Sequence, residues 1–300
     1  MSLSRTIRFS LGLATLTALA GTSTASAQET SESLFTWSGR VASGGTFRVR
    51  HFNGPIDVRE SATDRVEFRA ERMRRRSDEV SFDVRDQSDG VEICSVYRGR
   101  NICDNERGRG WDWDDGPPST RLVIMLPKGV RLAANTGNGD VTVERASNDV
   151  EIRSGNGDVR IRMTAGEVDV TTGNGELEID SATGPVRATT GNGRVYVTTS
   201  SGPVNARTGN GEIDVRMRAL QGEGDMTFST GNGSVTVALP GTFAGEIDAN
   251  TGHGEFRSDF EIRIVGRLNP RHVRGTIGTG GTRRIRMSTG KGRLGLGKMN

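Results

Sequence analysis

Residues 154–175 read SGNGDVRIRMTAGEVDVTTGNG. The triplet Gly-Asn-Gly opens and closes this stretch, and between the two copies apolar residues alternate with polar ones at Val159 and Ile161, then at Val168 and Val170. Alternation of this kind marks a strand with one buried face. The triplet recurs at Gly137-Asn138-Gly139, Gly155-Asn156-Gly157, Gly173-Asn174-Gly175, Gly191-Asn192-Gly193 and Gly209-Asn210-Gly211, a constant step of eighteen positions. A fixed period in a non-collagenous chain is the signature of stacked repeats.

Each such unit holds two alternating runs, so either the whole unit or half of it could complete a turn. The turns between the runs decide the matter. One always carries Gly-Asn-Gly; the other carries Ser147-Asn148, Ala165-Gly166, Thr183-Gly184-Pro185 or Ser201-Gly202-Pro203. Two chemically different turns in strict alternation imply two different edges, and therefore a coil as long as the whole unit, with one strand on each of two facing sheets. Val141, Val159, Leu177, Val195 and Ile213 then form one inward row, facing Val150, Val168, Val186 and Val204. Outward rows read Glu144, Arg162, Asp180, Thr198, Arg216 and Glu151, Asp169, Arg187, Asn205. The first alternates sign or interposes a neutral residue, which favours parallel stacking; the second has one like-charge step, Glu151 to Asp169.

Working outward, the period loosens but the motif persists. Gly231-Asn232-Gly233 and then Gly252 follow at longer steps, with His253 and later Lys291 in the asparagine position. The glycines and asparagines are expected to supply left-handed turn geometry. Ile285, Met287, Leu294 and Leu296 are expected to form the last coil, and EIRIV (261–265) a strand before it. Upstream, Phe47 and Val49, Ile56 and Val58, and Val66 and Phe68 repeat the alternation, so the solenoid is expected to begin there. Residues 71–118 break the template, apart from a strand-like run from Val80 to Val84, and read as a decorated insert. The expected organisation is a signal segment over 1–27, a lead-in over 28–43, and an all-β, single parallel β-solenoid over 44–300, with regular repeats at about 131–216 and looser coils and a cap over 217–300.

Composition fits this class. The 300 residues include 42 glycines and 5% aromatic residues, which suits short strands and tight turns. Arg5 and Arg8, an apolar run from Phe9 to Gly21, and Ala25-Ser26-Ala27 have the pattern of a secretory signal with a cleavage site. Removing it leaves 38 basic and 37 acidic residues, a nearly neutral chain that argues against nucleic acid as partner. No later apolar run approaches the ~20 residues that span a bilayer. Export to the periplasm, cell surface or exterior is the expectation. In that oxidising setting Cys94 and Cys103, the only two cysteines, are expected to form a disulfide, with Arg98-Gly99 turning between the arms.

Candidate chemistry is sparse. A Gly-rich turn followed by a carboxylate suggests calcium, yet only one acidic position follows each triplet, and it becomes Arg194 and Ser234 in later copies. No metal or cofactor is expected. The three histidines, His51, His253 and His272, have no evident triad partners, and mixed outward rows do not resemble a catalytic face. Two places stand out as ligand contacts: Trp111-Asp112-Trp113-Asp114, which sets two indoles beside carboxylates, and Arg74-Arg75-Arg76, which suits an anion or protects a strand edge.

GGTFRVRHFNGPIDVR (44–59), RLVIMLPKGVRL (121–132), SGNGDVRI (154–161), TGNGEIDV (208–215) and IRMSTGKGRLGL (285–296) together resemble the bacterial domain of unknown function 4097, a family labelled putative adhesin. The resemblance spans about Gly44 to Leu296 and leaves out the cysteine pair and the WDWDD stretch. It implies a parallel β-solenoid in the bacterial envelope or exterior, and it carries no catalytic residues. The expected function is a non-enzymatic, adhesin-like or envelope scaffold protein, with an envelope glycan or another surface protein as the class of partner. A carbohydrate-binding or carbohydrate-degrading solenoid working through Trp111 and Trp113 is the alternative.

Overall fold

Val141 pairs with Val159, Val159 with Leu177, Leu177 with Val195 and Val195 with Ile213, every step parallel and one repeat unit long. The computed structural model describes residues 33–73, 79–104, 117–221, 224–264 and 269–299. Ahead of the array lie β1 (Ser33–Gly39), β2 (Thr46–Asn53), β3 (Ile56–Glu60), β4 (Val66–Arg72), β5 (Val80–Gln87), β6 (Gly90–Tyr97), β7 (Arg100–Asn101) and β8 (Thr120–Leu126). The regular array contributes β9 (Arg131–Asn138), β10 (Val141–Val143), β11 (Val150–Asn156), β12 (Val159–Ile161), β13 (Val168–Asn174), β14 (Leu177–Ala182), β15 (Val186–Asn192), β16 (Val195–Thr199), β17 (Val204–Asn210) and β18 (Ile213–Met217). After it come β19 (Met226–Asn232), β20 (Val235–Pro240), β21 (Gly245–His253), β22 (Phe256–Ser258), β23 (Ile262–Ile264), β24 (His272–Ile277), β25 (Arg284–Lys291) and β26 (Leu294–Met299). They form a single parallel β-solenoid of two long sheets, with 12 strands in one (sheet A) and 14 in the other (sheet B), where β7 pairs with β6 off the main path.

The core is the set of inward rows. Val141, Val159, Val195 and Ile213 on sheet A, and Val150, Val168, Val186 and Val204 on sheet B, are buried. A third inward position on sheet B is polar, occupied by Thr136, Ser154, Thr172, Thr190, Thr208 and Thr230, all buried. Each hydroxyl from Ser154 to Thr230 donates to the carbonyl of the second glycine in the preceding triplet, as Thr172 does to Gly157 at 3.1 Å and Thr190 to Gly175 at 3.0 Å. A hydroxyl next to a tight turn thus satisfies a buried backbone acceptor that would otherwise carry a desolvation penalty.

The triplet does not have the geometry expected of it. The second glycine is the left-handed one: Gly175 has φ +151 and Gly157 φ +143, whereas the asparagines and the first glycines have no positive φ. Gly173 is required by close approach alone, since a Cβ there would land on the carbonyl oxygen of Gly155 in the coil below; Gly175 faces the same obstacle at Gly157 in addition to its φ. Asparagine closes each sheet B strand and stacks on its neighbour instead of turning the chain.

The ends depart from chain order. At the N-terminal end β2 pairs in parallel with both β9 and β6, and β3 with both β10 and β8, so β6 and β8 make a rung outside β2 and β3. Residues 90–97, expected within an insert, are therefore part of the sheet. Val66 and Phe68, expected to continue the coil pattern begun at Phe47, lie on β4, which runs antiparallel to β8, and β1 from the expected lead-in runs antiparallel to β4. β5 closes the other sheet antiparallel to β6. Apolar coils stacked in parallel leave an open end, and antiparallel strands carrying aromatic rings cover it. Phe35 stacks on Phe82 at 5.4 Å and Trp37 on Phe47 at 6.0 Å. The Cys94–Cys103 disulfide is formed, with Arg98 and Gly99 at φ 50 and 72 making the turn between β6 and β7.

At the other end β25 pairs with β19 on one side and β21 on the other, and β26 lies between β20 and β22. The expected last coil is last only in sequence; in space it sits inside the coil formed by β21 and β22. β24 and β23 then pair antiparallel beyond β21, placing Ile262–Ile264 of the expected EIRIV strand at the rim.

Candidate functional site

The asparagine row forms a continuous side-chain ladder. Nδ2 of Asn156 donates to Oδ1 of Asn138 at 2.8 Å, and the same bond joins Asn174 to Asn156, Asn192 to Asn174, Asn210 to Asn192 and Asn232 to Asn210 at 2.7–2.8 Å. Every amide is committed to its neighbour. In the strand register Asn232 is followed by Lys291 and then His253, so both departures from asparagine fall together at one end of the ladder. The ladder is structural, and it orients the sheet faces beside it.

Those faces carry the outward rows. On sheet A, Arg162 lies 3.8 Å from Glu144 and Arg216 3.3 Å from Asp214. The expected row breaks at Asp180, because pairing skips from Ile179 to Ala182 while Ser181 adopts φ 54. On sheet B the like-charge step from Glu151 to Asp169 is relieved by Arg153, 2.7 Å from Glu151, and Arg187, 3.4 Å from Asp169. Exposed pairs of this type contribute little each, about 0–1 kcal/mol, and mainly fix side-chain direction. Arg48 and Asp89 form a two-pronged pair, bonded through both terminal guanidinium nitrogens at 2.7 and 2.8 Å. Hydrogen bonding to Arg48 holds the Asp89 carboxyl down at about 2.

Four adjacent strands of sheet B break this mixed pattern. β15, β17, β19 and β25 lie side by side, and their outward positions are Arg187 and Thr189, Asn205 and Arg207, Thr227 and Ser229, Arg286 and Ser288. None is a carboxylate. Ser288 donates to Ser229 at 2.8 Å, and Asn205 Oδ1 accepts from the Thr227 backbone N–H at 2.9 Å. Arg187 is tied to Asp169, but Arg207 and Arg286 make no ion pair among the described residues. Arg286 itself lines a cleft of about 340 Å³ together with Glu246, its strand partner Asp248, Arg274, Thr276 and Arg284. There Arg284 meets Glu246 at 2.8 Å and Arg274 meets Asp248 at 3.0 Å.

Other polar groups have structural partners. His51 is buried in the row otherwise held by threonine and serine; its Nδ1 lies 2.7 Å from Ser95 Oγ and its Nε2 3.0 Å from the Thr120 carbonyl. Nε2 also lies 3.1 Å from Thr120 Oγ1; with the proton on Nε2 the carbonyl accepts it and Ser95 donates to Nδ1. Burial pushes the His51 pKa down to about 4. Ser95 is fully buried, so the pair has no route to a substrate. Glu92, Cys94 and Cys103 lie close together, but both sulfurs are in the disulfide and Glu92 meets Arg50 at 2.9 Å. The sequence-derived contacts Trp111, Asp112, Trp113, Asp114, Arg74, Arg75 and Arg76 lie outside the described residues.

A family model matches residues 53–292, which run from the end of β2 through the glycine after β25. The chain belongs to the Toastrack DUF4097 family. The DUF4097 match covers the regular array, both departures from its period and the inserted C-terminal rung as far as β25. Among solved structures, a putative adhesin from Bacteroides fragilis aligns with 87% of this chain and 96% of its own at 12% identity and a TM-score of 0.49. A putative cell adhesion protein from Clostridium sporogenes aligns with 89% of this chain and 100% of its own at 11% identity and a TM-score of 0.28. No curated protein matches. Among the described residues no helix is long and apolar enough to cross a membrane.

Proposed function

We propose that this chain is a non-enzymatic, exported, adhesin-like protein of the bacterial envelope or exterior that works by presenting a sheet face to a partner. The observation that supports this reading most is the carboxylate-free panel on β15, β17, β19 and β25, whose donors stand on a rigid backbone ladder. Side chains fixed in rows by strand pairing lose little freedom on contact, which favours broad and shallow recognition. The basic, apolar and small-residue order of residues 1–27 supports export.

Cell fractionation of the full chain, followed by retention of envelope fragments on the purified mature protein, tests the reading. Expected are a shortened chain outside the cytoplasm and retained envelope material. An uncleaved cytoplasmic protein that retains nothing would sink it.

A further inference from the structure

We propose that the panel binds a linear polysaccharide bearing carboxylates, with Arg207 and Arg286 as its two anion-recognising residues; this rests on the reading of the chain as a contact protein. Three observations converge on it. The first is charge. Over four consecutive strands the outward positions offer three guanidiniums, hydroxyls and an amide, with no acidic side chain among them, whereas the outward positions of β11 and β13 on the same sheet, and of β12 and β14 on the other, mix signs. An acidic ligand therefore meets no like charge on the panel itself.

The second is availability. Most arginines on these faces are already held by carboxylates, as Arg153, Arg187, Arg274 and Arg284 are. Arg207 and Arg286 are exposed and make no ion pair among the described residues, so their forks are open to an incoming carboxylate. Guanidinium matches carboxylate in a bidentate fashion, and such charge-assisted bonds are roughly twice as strong as neutral ones.

The third is spacing. Arg207 stands on β17 and Arg286 on β25, with β19 between them, and they occupy neighbouring outward positions along the strand direction. At about 4.8 Å per strand and about 3.3 Å per residue, the two Cα atoms are roughly 12 Å apart on a diagonal. That diagonal crosses Thr227 and Ser229, whose hydroxyls face outward between the two charges. An extended chain with acidic groups at intervals and hydroxyls between them reproduces this order of charge, hydroxyl and charge. A compact single anion would use one arginine and leave the other open.

The experiment measures binding of the purified mature chain to polygalacturonate, dextran and heparin at low and high salt. Alongside the wild type run Arg207→Gln, Arg286→Gln, their double variant, and Arg162→Gln on the opposite sheet, all checked for unchanged melting temperature. Expected are polygalacturonate binding that weakens with salt, no dextran binding, a loss of about tenfold for each panel substitution, and no change for Arg162→Gln. Equal loss with Arg162→Gln, or none with the double variant, would overturn the assignment of the panel. Tighter binding to heparin would overturn the carboxylate as the recognised group. If polygalacturonate is not bound while envelope fragments are retained, the ligand assignment fails and the contact-protein reading stands; if neither is bound, both fail.

Discussion

The carboxamide of Asn174 donates to Oδ1 of Asn156 at 2.7 Å, and both side chains are exposed on the edge of the coil. The bond needs a donor and an acceptor on every rung. Asn174→Ala removes one bond below and one above, at about 0.5–1.5 kcal/mol for each. Asn174→Asp should be worse, because it replaces the donor with a charged acceptor facing the oxygen of Asn156. Urea melts of the two variants check the order; an aspartate no worse than alanine would mean that the ladder contributes little.

Both glycines of one triplet should be intolerant, since a Cβ at either meets a carbonyl of the coil below, and Gly175 adds a positive φ. Gly175→Ala places a side chain at φ +151, and Gly173→Ala drives a Cβ onto the Gly155 carbonyl. Thr171 in the same strand points outward and is exposed, so Thr171→Val should stay within about 0.5 kcal/mol. Both glycine variants should lose more than about 3 kcal/mol, since the obstacle is backbone that cannot move without shifting a whole coil. Comparable midpoints for Gly173→Ala and Thr171→Val in denaturant would contradict this packing.

Coil length and register are legible in the chain because identical residues at a constant step and two unlike turns leave one solution. The role of asparagine is not: a Gly-Asn-Gly triplet suits a left-handed turn, and only the stacking distance reveals that the amides bond to one another. The ends mislead because chain order does not give stacking order. Nothing local to Arg286 and Ser288 places them beside Thr227 and Ser229, so the panel emerges only once β25 lies against β19. One trace is present in the sequence, since Lys291 and His253 both break the asparagine row and prove to be neighbours. The N-terminal cap also leaves a sign, in the aromatic residues crowded between Phe35 and Phe82.

His51 predicts a pH dependence. Its folded pKa is about 4 against an ordinary value of 6.5. Between those values the unfolded chain holds more protons, so stability rises with pH through this window and is lost as pH falls from 6.5 toward 4. The full loss is on the order of 3 kcal/mol. His51→Thr, which restores the residue type of the other rungs, should flatten the slope there. Asp89, held at about 2 by Arg48, is stabilising above the ordinary carboxylate range and loses that effect as pH falls toward 2, below the His51 window. A variant with the wild-type slope between pH 4 and 6.5 would remove His51 as the cause.

Met287 tests the order of rungs at the C-terminal end. It is fully buried, with Phe228 of β19 as its strand partner on one side and Ala249 of β21 on the other. Met287→Asp buries a charge with no partner in that layer, which is expected to cost more than about 3 kcal/mol. Because β21, β22 and β24 reach the array through β25 and β26, hydrogen exchange should accelerate across 245–277. Protection in β11 to β16 should persist, since stacked repeats depend on their nearest neighbours. If the coils stacked in chain order, β21 would rest directly on β19 and keep its protection in this variant. Slow exchange at Ile247 and Ala249 in Met287→Asp would therefore argue against the inserted rung.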